Sequence, residues 1–144
     1  MPRLLIALLL SLLAIHAMAR DCDPAHSPQL EDAWLSAGVR VTQPPVRLLY
    51  LPPGSREVFV HARTRGPGKV TYRWFRDGKR VIDVGAQVGD GAWNSHSRLR
   101  LPPPLPEEVR VQLIGTDGCL LRELTLAASA FVDVPQIRDA WQQL

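Results

Sequence analysis

A triad hydrolase needs a serine or other nucleophile, a histidine and an acid, and this sequence offers each of them only in scattered positions. A catalytic set would join His61 to Ser95 or Ser97. Its acid would be Asp83 or Asp90. A triad works only when the base is held against the nucleophile, and motifs that achieve this locally, such as G-x-S-x-G, do not occur in the sequence. We therefore expect a protein that is not an enzyme.

A metal site would have to use the same histidine. Its ligands would be His61, His96 and Asp90, which are far apart in the sequence. The spacings typical of zinc sites, H-x-x-x-H, HEXXH and C-x-x-C, do not occur in it. We expect neither a metal ion nor an organic cofactor.

Arginine dominates the basic residues and supplies fifteen of the seventeen. The segment from Arg63 to Arg100 carries nine basic residues and three acids, a balance of +6, while the rest of the chain after residue 19 is net negative. Guanidinium groups bind phosphates and carboxylates bidentately, and a positive surface attracts polyanions. We predict an arginine-rich sheet face that binds an envelope polysaccharide or lipid polyanion, or an exported protein. The predicted binding arginines are Arg63, Arg65, Arg73, Arg80, Arg98 and Arg100. The alternative is a solubilising face whose arginines pair with cross-strand acids.

A second function is open, in which the chain inhibits a cell-wall hydrolase as an immunity-type protein. Residues 85–93 read GAQVGDGAW and suggest a long glycine-rich loop. Asp90 and Trp93 would anchor this loop in the cleft of the hydrolase. Binding through such a loop should depend less on salt than polyanion binding does.

The first nineteen residues have the three parts of a secretory signal peptide. Arg3 provides the basic region, an apolar stretch follows, and Ala17-Met18-Ala19 forms an A-x-A cleavage site. The mature chain would begin at Arg20 and be periplasmic or secreted, which excludes nucleic acid as a natural partner. Asp21 precedes Cys22 where a lipoprotein would need a small residue, and no later apolar run could span a membrane.

The two cysteines, Cys22 and Cys119, both lie in the part that would be exported. In an oxidising compartment they have one intramolecular pairing, and a redox pair would more often show C-x-x-C. We predict a structural disulfide between them. The length of the mature chain is that of a single domain.

Two segments near the ends of the chain predict short helices. Residues 26–38 have Ser27 as a helix cap, and Leu30, Ala33 and Trp34 follow at helical spacing. Residues 133–144 have the same pattern, and PQLEDAW in the first segment matches PQIRDAW in the second at five of seven positions. The pair is either two copies of a docking motif or two amphipathic helices that cover the ends of a sandwich.

Between these segments the sequence predicts strands. Asp77-Gly78 stands between two β-prone runs and predicts a type I′ hairpin, with Trp74 facing Val81. Asp117-Gly118 predicts a second hairpin that pairs Val111 with Leu124 and Val109 with Leu126. Further strands are predicted at 46–51, 57–64 and 93–101, and a polyproline-type connection at 102–106.

About seven strands indicate an all-β, immunoglobulin-like antiparallel sandwich. The predicted division is 1–19 signal peptide, 20–45 helix and linker, 46–132 sandwich and 133–144 short helix.

Two resemblances bear on this prediction. YRWFRDGKRV resembles the strand-C hairpin of immunoglobulin-type modules, with its inward tryptophan before an Asp-Gly turn. Residues 51–126 resemble an uncharacterised bacterial export-associated family of unknown function. The resemblance runs from a Leu-Pro-Pro-Gly turn through Arg73-Trp74 and Trp93 to the closing Asp-Gly pair. The sequence departs from that family at Asn94-Ser95-His96. The resemblance implies a sandwich and export, and it implies no chemistry.

Overall fold

The computed structural model describes residues 21–38 and 46–128, and within these ranges the chain forms seven β-strands. Among these residues, no helix has the length and apolar character needed to cross a membrane. The strands are β1 (Gln29–Ser36), β2 (Glu57–Arg65), β3 (Gly68–Arg76), β4 (Lys79–Val88), β5 (Ala92–Arg100), β6 (Glu108–Ile114) and β7 (Leu120–Ala127).

The strands form two antiparallel sheets, one of three strands in the order β1-β2-β5 and one of four in the order β4-β3-β6-β7. Alternate residues of each strand point between the sheets, as two-residue periodicity requires. They make one core whose largest fully buried members include Trp74, Tyr72, Leu113 and Leu126. The predicted all-β antiparallel sandwich of about seven strands is confirmed, with β2 at the centre of the three-stranded sheet and β3 and β6 at the centre of the four-stranded sheet.

The β3–β4 hairpin turns at Asp77 and Gly78, whose φ angles are +47° and +77°. Two positive φ angles are what a type I′ turn requires, so the predicted turn is confirmed. The predicted pairing beyond it is wrong by one residue. A β-bulge between Trp74 and Phe75 sets Trp74 opposite Ile82, and Val81 is 52% exposed. The buried position of Trp74 itself is as expected, since none of its surface is exposed.

The helix predicted over residues 26–38 is wrong, because Gln29–Ser36 is the edge strand β1. Its pairing with β2 shifts register between Leu30 and Asp32. An extra residue at such a bulge puts Leu30 and Ala33 on the same inner face although they are three residues apart. The apolar spacing therefore imitates a helix. Trp34 points outward instead, next to the inward Leu35.

The strand predicted over residues 46–51 is also wrong. This segment makes two isolated bridges, Arg47 with Ser36 on β1 and Leu51 with Ala128 just beyond β7. It thus passes from the edge of one sheet to the edge of the other, and the fully buried Leu51 fills the space between them. Since β1 and β7 lie side by side at this edge, the segment closes the sandwich there.

The predicted disulfide is confirmed, with Cys22 and Cys119 97 residues apart in sequence and bonded. It ties the segment before β1 to the residue before β7. Gly115 lies directly against it, since a Cβ atom there would be 2.9 Å and 2.7 Å from the two sulfur atoms. The second predicted helix, at 133–144, lies outside the described residues.

Two hydrogen bonds join the sheets across the core. On β3 the indole N–H of Trp74 donates to the hydroxyl of Ser97, at 3.0 Å, and the hydroxyls of Tyr72 and Ser95 are bonded to each other. Both serines lie on β5, in the other sheet. Because a buried polar group is costly without a partner, these pairs fix the aromatic side chains of β3 against β5.

Candidate functional site: an arginine face and a proline-walled cleft

The structure does not assemble the hydrolase set that the sequence suggested. Ser95 and Ser97 point into the core and are bonded to the aromatic side chains of β3. His61 points to the opposite side of the sheet, where its Nε2 is 2.7 Å from the Oγ of Ser36. The hydroxyl of Ser36 donates to the carbonyl oxygen of Gly38, so its proton is already engaged. The serine that His61 contacts is therefore a hydrogen-bond donor to the backbone, and it is neither of the two serines that the sequence suggested as nucleophiles.

His61 is held in a small aromatic cluster on the outer surface of the three-stranded sheet. The ring of Trp34 stacks on it at 5.2 Å, and the ring of His96 lies 6.2 Å away on the neighbouring strand. Burial, and then the charge of His96, lower the pKa of His61 below its usual value. The guanidinium of Arg47 lies over the ring of Trp34, 4.9 Å from its centre. This cluster favours a neutral His61.

The three suggested metal ligands are not brought together. His61 and His96 are cross-strand partners, but Asp90 precedes the first residue of β5. His96 is four residues beyond Ala92, roughly 13 Å along the strand. Within residues 21–38 and 46–128 no group of three histidine, cysteine or acidic side chains is placed to hold a metal ion.

The six predicted binding arginines divide between the two sheets, so the prediction of one face that holds them all is wrong. Arg63 and Arg65 on β2 and Arg98 and Arg100 on β5 lie on the outer surface of the three-stranded sheet. We call these four the arginine face. Arg73 and Arg80 are separated from these four because β3 and β4 belong to the other sheet.

The arginine face carries more guanidinium groups than carboxylates. Glu31 is shared by Arg63 and Arg65, at 3.0 and 2.7 Å. Glu57 lies opposite Arg100 in the strand register, but its carboxylate is 3.6 Å from Arg98. Among the described residues Arg100 has no ion pair. Asp32, opposite Arg63 in the register, is bound by Arg47. Five guanidinium groups thus meet three carboxylates on this surface, and the four arginines of the arginine face are exposed.

The two remaining arginines belong to the four-stranded sheet. Arg73 on β3 and Arg80 on β4 both bind the carboxylate of Asp83, which lies opposite Arg73. Burial alone would raise the pKa of Asp83, but the hydrogen bonds and charges of Arg80 and Arg73 outweigh it and lower that pKa below its usual value. On this sheet the arginines pair with a cross-strand acid, as the alternative of a solubilising face predicts.

The predicted long loop over residues 85–93 is wrong in its extent. Strand β4 continues to Val88, so the connection between the sheets is the tight turn of Gly89, Asp90 and Gly91. The backbone N–H of Gly66 donates to the carbonyl oxygen of Gly91 at 3.1 Å, which ties the turn to the end of β2. Asp90 is exposed and Trp93 is 45% exposed, so both predicted anchors remain accessible.

A cleft of about 690 Å³ lies at one end of the sandwich, and sequence reasoning missed it. We call it the proline cleft. It is lined by residues 54–56, 100–103 and Leu105. Its apolar wall comes from the connection between β5 and β6, and two arginines, Arg56 and Arg100, are among its lining residues. The Leu-Pro-Pro-Gly and Leu-Pro-Pro-Pro segments were visible in the sequence, but their meeting depends on the β2–β5 pairing.

Comparison with models of known protein families finds none that matches this chain. The curated proteins likewise contain no match to it.

Proposed function

We propose that this protein is a non-catalytic binding domain, exported from the cytoplasm, that holds an anionic ligand of the cell envelope on its arginine face. The single observation that carries the proposal is the excess of guanidinium groups on one sheet surface, where the four arginines of the arginine face share two carboxylates and a third carboxylate is bound by Arg47. Guanidinium groups are weakly hydrated and bind phosphate and carboxylate in a bidentate way, so a repeated anion suits such a surface. Export is supported by the N-terminal signal-like segment and by the disulfide.

A matched pair of double variants tests this proposal. Arg98→Ala/Arg100→Ala removes two charges from the arginine face, and Arg73→Ala/Arg80→Ala removes two from the opposite sheet. The probes are heparin as a polyanion and dextran as its uncharged counterpart, titrated with the oxidised protein at low and moderate salt. We expect heparin alone to bind, with affinity that falls as salt rises. The first double variant should bind roughly tenfold more weakly, while the second should bind as wild type does.

Either of two results would refute this function. Equal losses in the two double variants would mean that overall charge, rather than the arginine face, determines binding. Unchanged binding in both would mean that these arginines serve solubility through their acid partners.

The second function, inhibition of a cell-wall hydrolase, is favoured by one observation. Trp93 is half exposed at the start of β5, next to the turn that carries Asp90 and that a backbone hydrogen bond holds in place. An accessible tryptophan beside such a turn suits a binding anchor. The test is lysis of purified peptidoglycan by an envelope extract with and without the protein. This function requires inhibition that persists at moderate salt and is lost in Asp90→Asn and Trp93→Ala.

A further inference from the structure

The proline cleft has walls that offer a ligand few hydrogen bonds. Pro102 and Pro103 have no backbone N–H, and Leu101 donates its own to the carbonyl oxygen of Arg56 at 2.7 Å. The hydroxyl of Ser55 is also engaged, because it donates to the carbonyl oxygen of Pro52 at 2.6 Å. A peptide backbone would find little to bind along these walls. An aliphatic chain would find apolar surface instead.

The charged residues that line the cleft are both cationic. Arg56 and Arg100 both line it, and neither makes an ion pair with another residue in the described parts of the chain. The nearest acid in the strand register, Glu57, is engaged with Arg98. Two exposed guanidinium groups beside an apolar wall are complementary to an anionic head on an apolar body.

The cleft is also held in shape without a ligand. The guanidinium of Arg76, at the end of β3, donates to the carbonyl oxygens of Pro102 and Pro104, the former at 3.1 Å. The Ser55 hydrogen bond holds the opposite wall. A preformed site loses less conformational entropy on binding than one that must be ordered, so it suits small ligands.

We propose that the proline cleft binds a single-chain amphiphile with an anionic head, either a fatty acid or an alkyl phosphate. The aliphatic chain lies against Pro102, Pro103 and Leu105, and the head binds Arg56 and Arg100. A volume of about 690 Å³ is within the range of small-molecule sites. This site shares Arg100 with the arginine face, but it goes beyond the polyanion function because Arg56 and the apolar wall are not part of that face.

The experiment uses the oxidised protein and measures binding by calorimetry, with amide chemical shifts to locate the site. Decanoate and decyl phosphate are the probes. Decanol lacks the charge, acetate lacks the chain and decyltrimethylammonium reverses the charge, so these three are the controls. Arg56→Ala and Arg100→Ala test the head site, and Arg63→Ala/Arg65→Ala is the control that alters only the arginine face. All four arginines are exposed, so the folded structure should survive these changes.

We expect decanoate, decyl phosphate or both to bind wild type with shifts around Leu101 and Leu105, and the three control compounds to bind at least tenfold more weakly. Arg56→Ala and Arg100→Ala should each weaken binding about tenfold or more, while Arg63→Ala/Arg65→Ala should leave it unchanged. The better of the two probes then identifies the head as carboxylate or phosphate. The proposal is overturned if neither probe binds, if decanol binds equally well, if the shifts lie elsewhere, or if Arg56→Ala has no effect.

Discussion

Replacing Ser97 by alanine tests whether the cross-sheet hydrogen bonds hold the sandwich together. The change removes the acceptor 3.0 Å from the indole N–H of Trp74, whose surface is entirely buried. The N–H would then be left without a partner and without water, which costs about 1–3 kcal/mol. With a urea m value of about 1–2 kcal/mol/M, the midpoint of unfolding should fall by on the order of 1 M. Far-ultraviolet circular dichroism of the oxidised protein measures this shift.

Two further variants make the result specific. In a Trp74→Phe background there is no indole N–H that could lose its partner. The loss of unfolding free energy caused by Ser97→Ala should therefore be smaller by about 1–2 kcal/mol. Ser95→Ala removes the partner of Tyr72, but Ser95 is only half-buried and water can replace it, so we expect a loss below about 1 kcal/mol. If Ser97→Ala costs the same in both backgrounds, the hydrogen bond does not provide the stability and the reasoning fails.

Three more predictions concern the disulfide, its neighbour and the buried histidine. Replacing Cys22 and Cys119 by serine opens a loop of 97 residues and should lower the free energy of unfolding by about 4–5 kcal/mol in urea titrations, and a loss below about 1 kcal/mol would contradict this. Gly115→Ala places a methyl group closest to the Oγ of Ser27 and against both sulfur atoms, and it should cost roughly 1–3 kcal/mol by thermal unfolding. Gly38→Ala, with open space around it, should be nearly neutral. The folded-state pKa of His61 is lowered, so the unfolded chain binds its proton first and stability should fall as the pH drops below about 6.5. His61→Gln keeps an N–H donor without titrating, and it should reduce that loss on acidification; an unchanged pH profile would exclude His61 as its source.

The parts of the fold that could be predicted from sequence depend on local backbone chemistry. Asp77-Gly78 specifies its turn because both positions need positive φ angles, and two cysteines allow only one intramolecular pair. The strand pairs of Val109 and Val111 with β7 are confirmed because alternation on both sides of the second turn matches. Each of these features is determined by a few residues, so it can be predicted without knowing how the rest of the chain folds.

Two of the errors in the fold come from β-bulges, which hydrophobic spacing does not reveal. The bulge after Leu30 places Leu30 and Ala33 on one face at a spacing that fits a helix, and the bulge at Trp74 moves its partner from Val81 to Ile82. In each case one extra residue changes which side chains share a surface. Sequence alone gives no reason to insert it.

The candidate site was predicted only in part, because it depends on which strands share a sheet. Arg63 and Arg98 lie on one surface since β2 pairs with β5, while Arg73 lies on the opposite sheet with β6. The sequence predicts that these arginines are exposed, and it does not predict this division. The proline cleft needs the turn before Arg56 to meet the segment after Arg100, which only the antiparallel register brings about.

The position of the disulfide also determines how the domain would bear mechanical load. Cys22 precedes β1 and Cys119 precedes β7, so strands β1 to β6 lie inside one covalent loop. A force that pulls on the chain at both sides of this loop passes through the disulfide, and within the sandwich only the eight residues of β7 can be peeled away. Fully extended they span at most roughly 28 Å. In oxidised form the arginine face and the proline cleft would therefore keep their shape under tension, and reduction would expose both to mechanical unfolding.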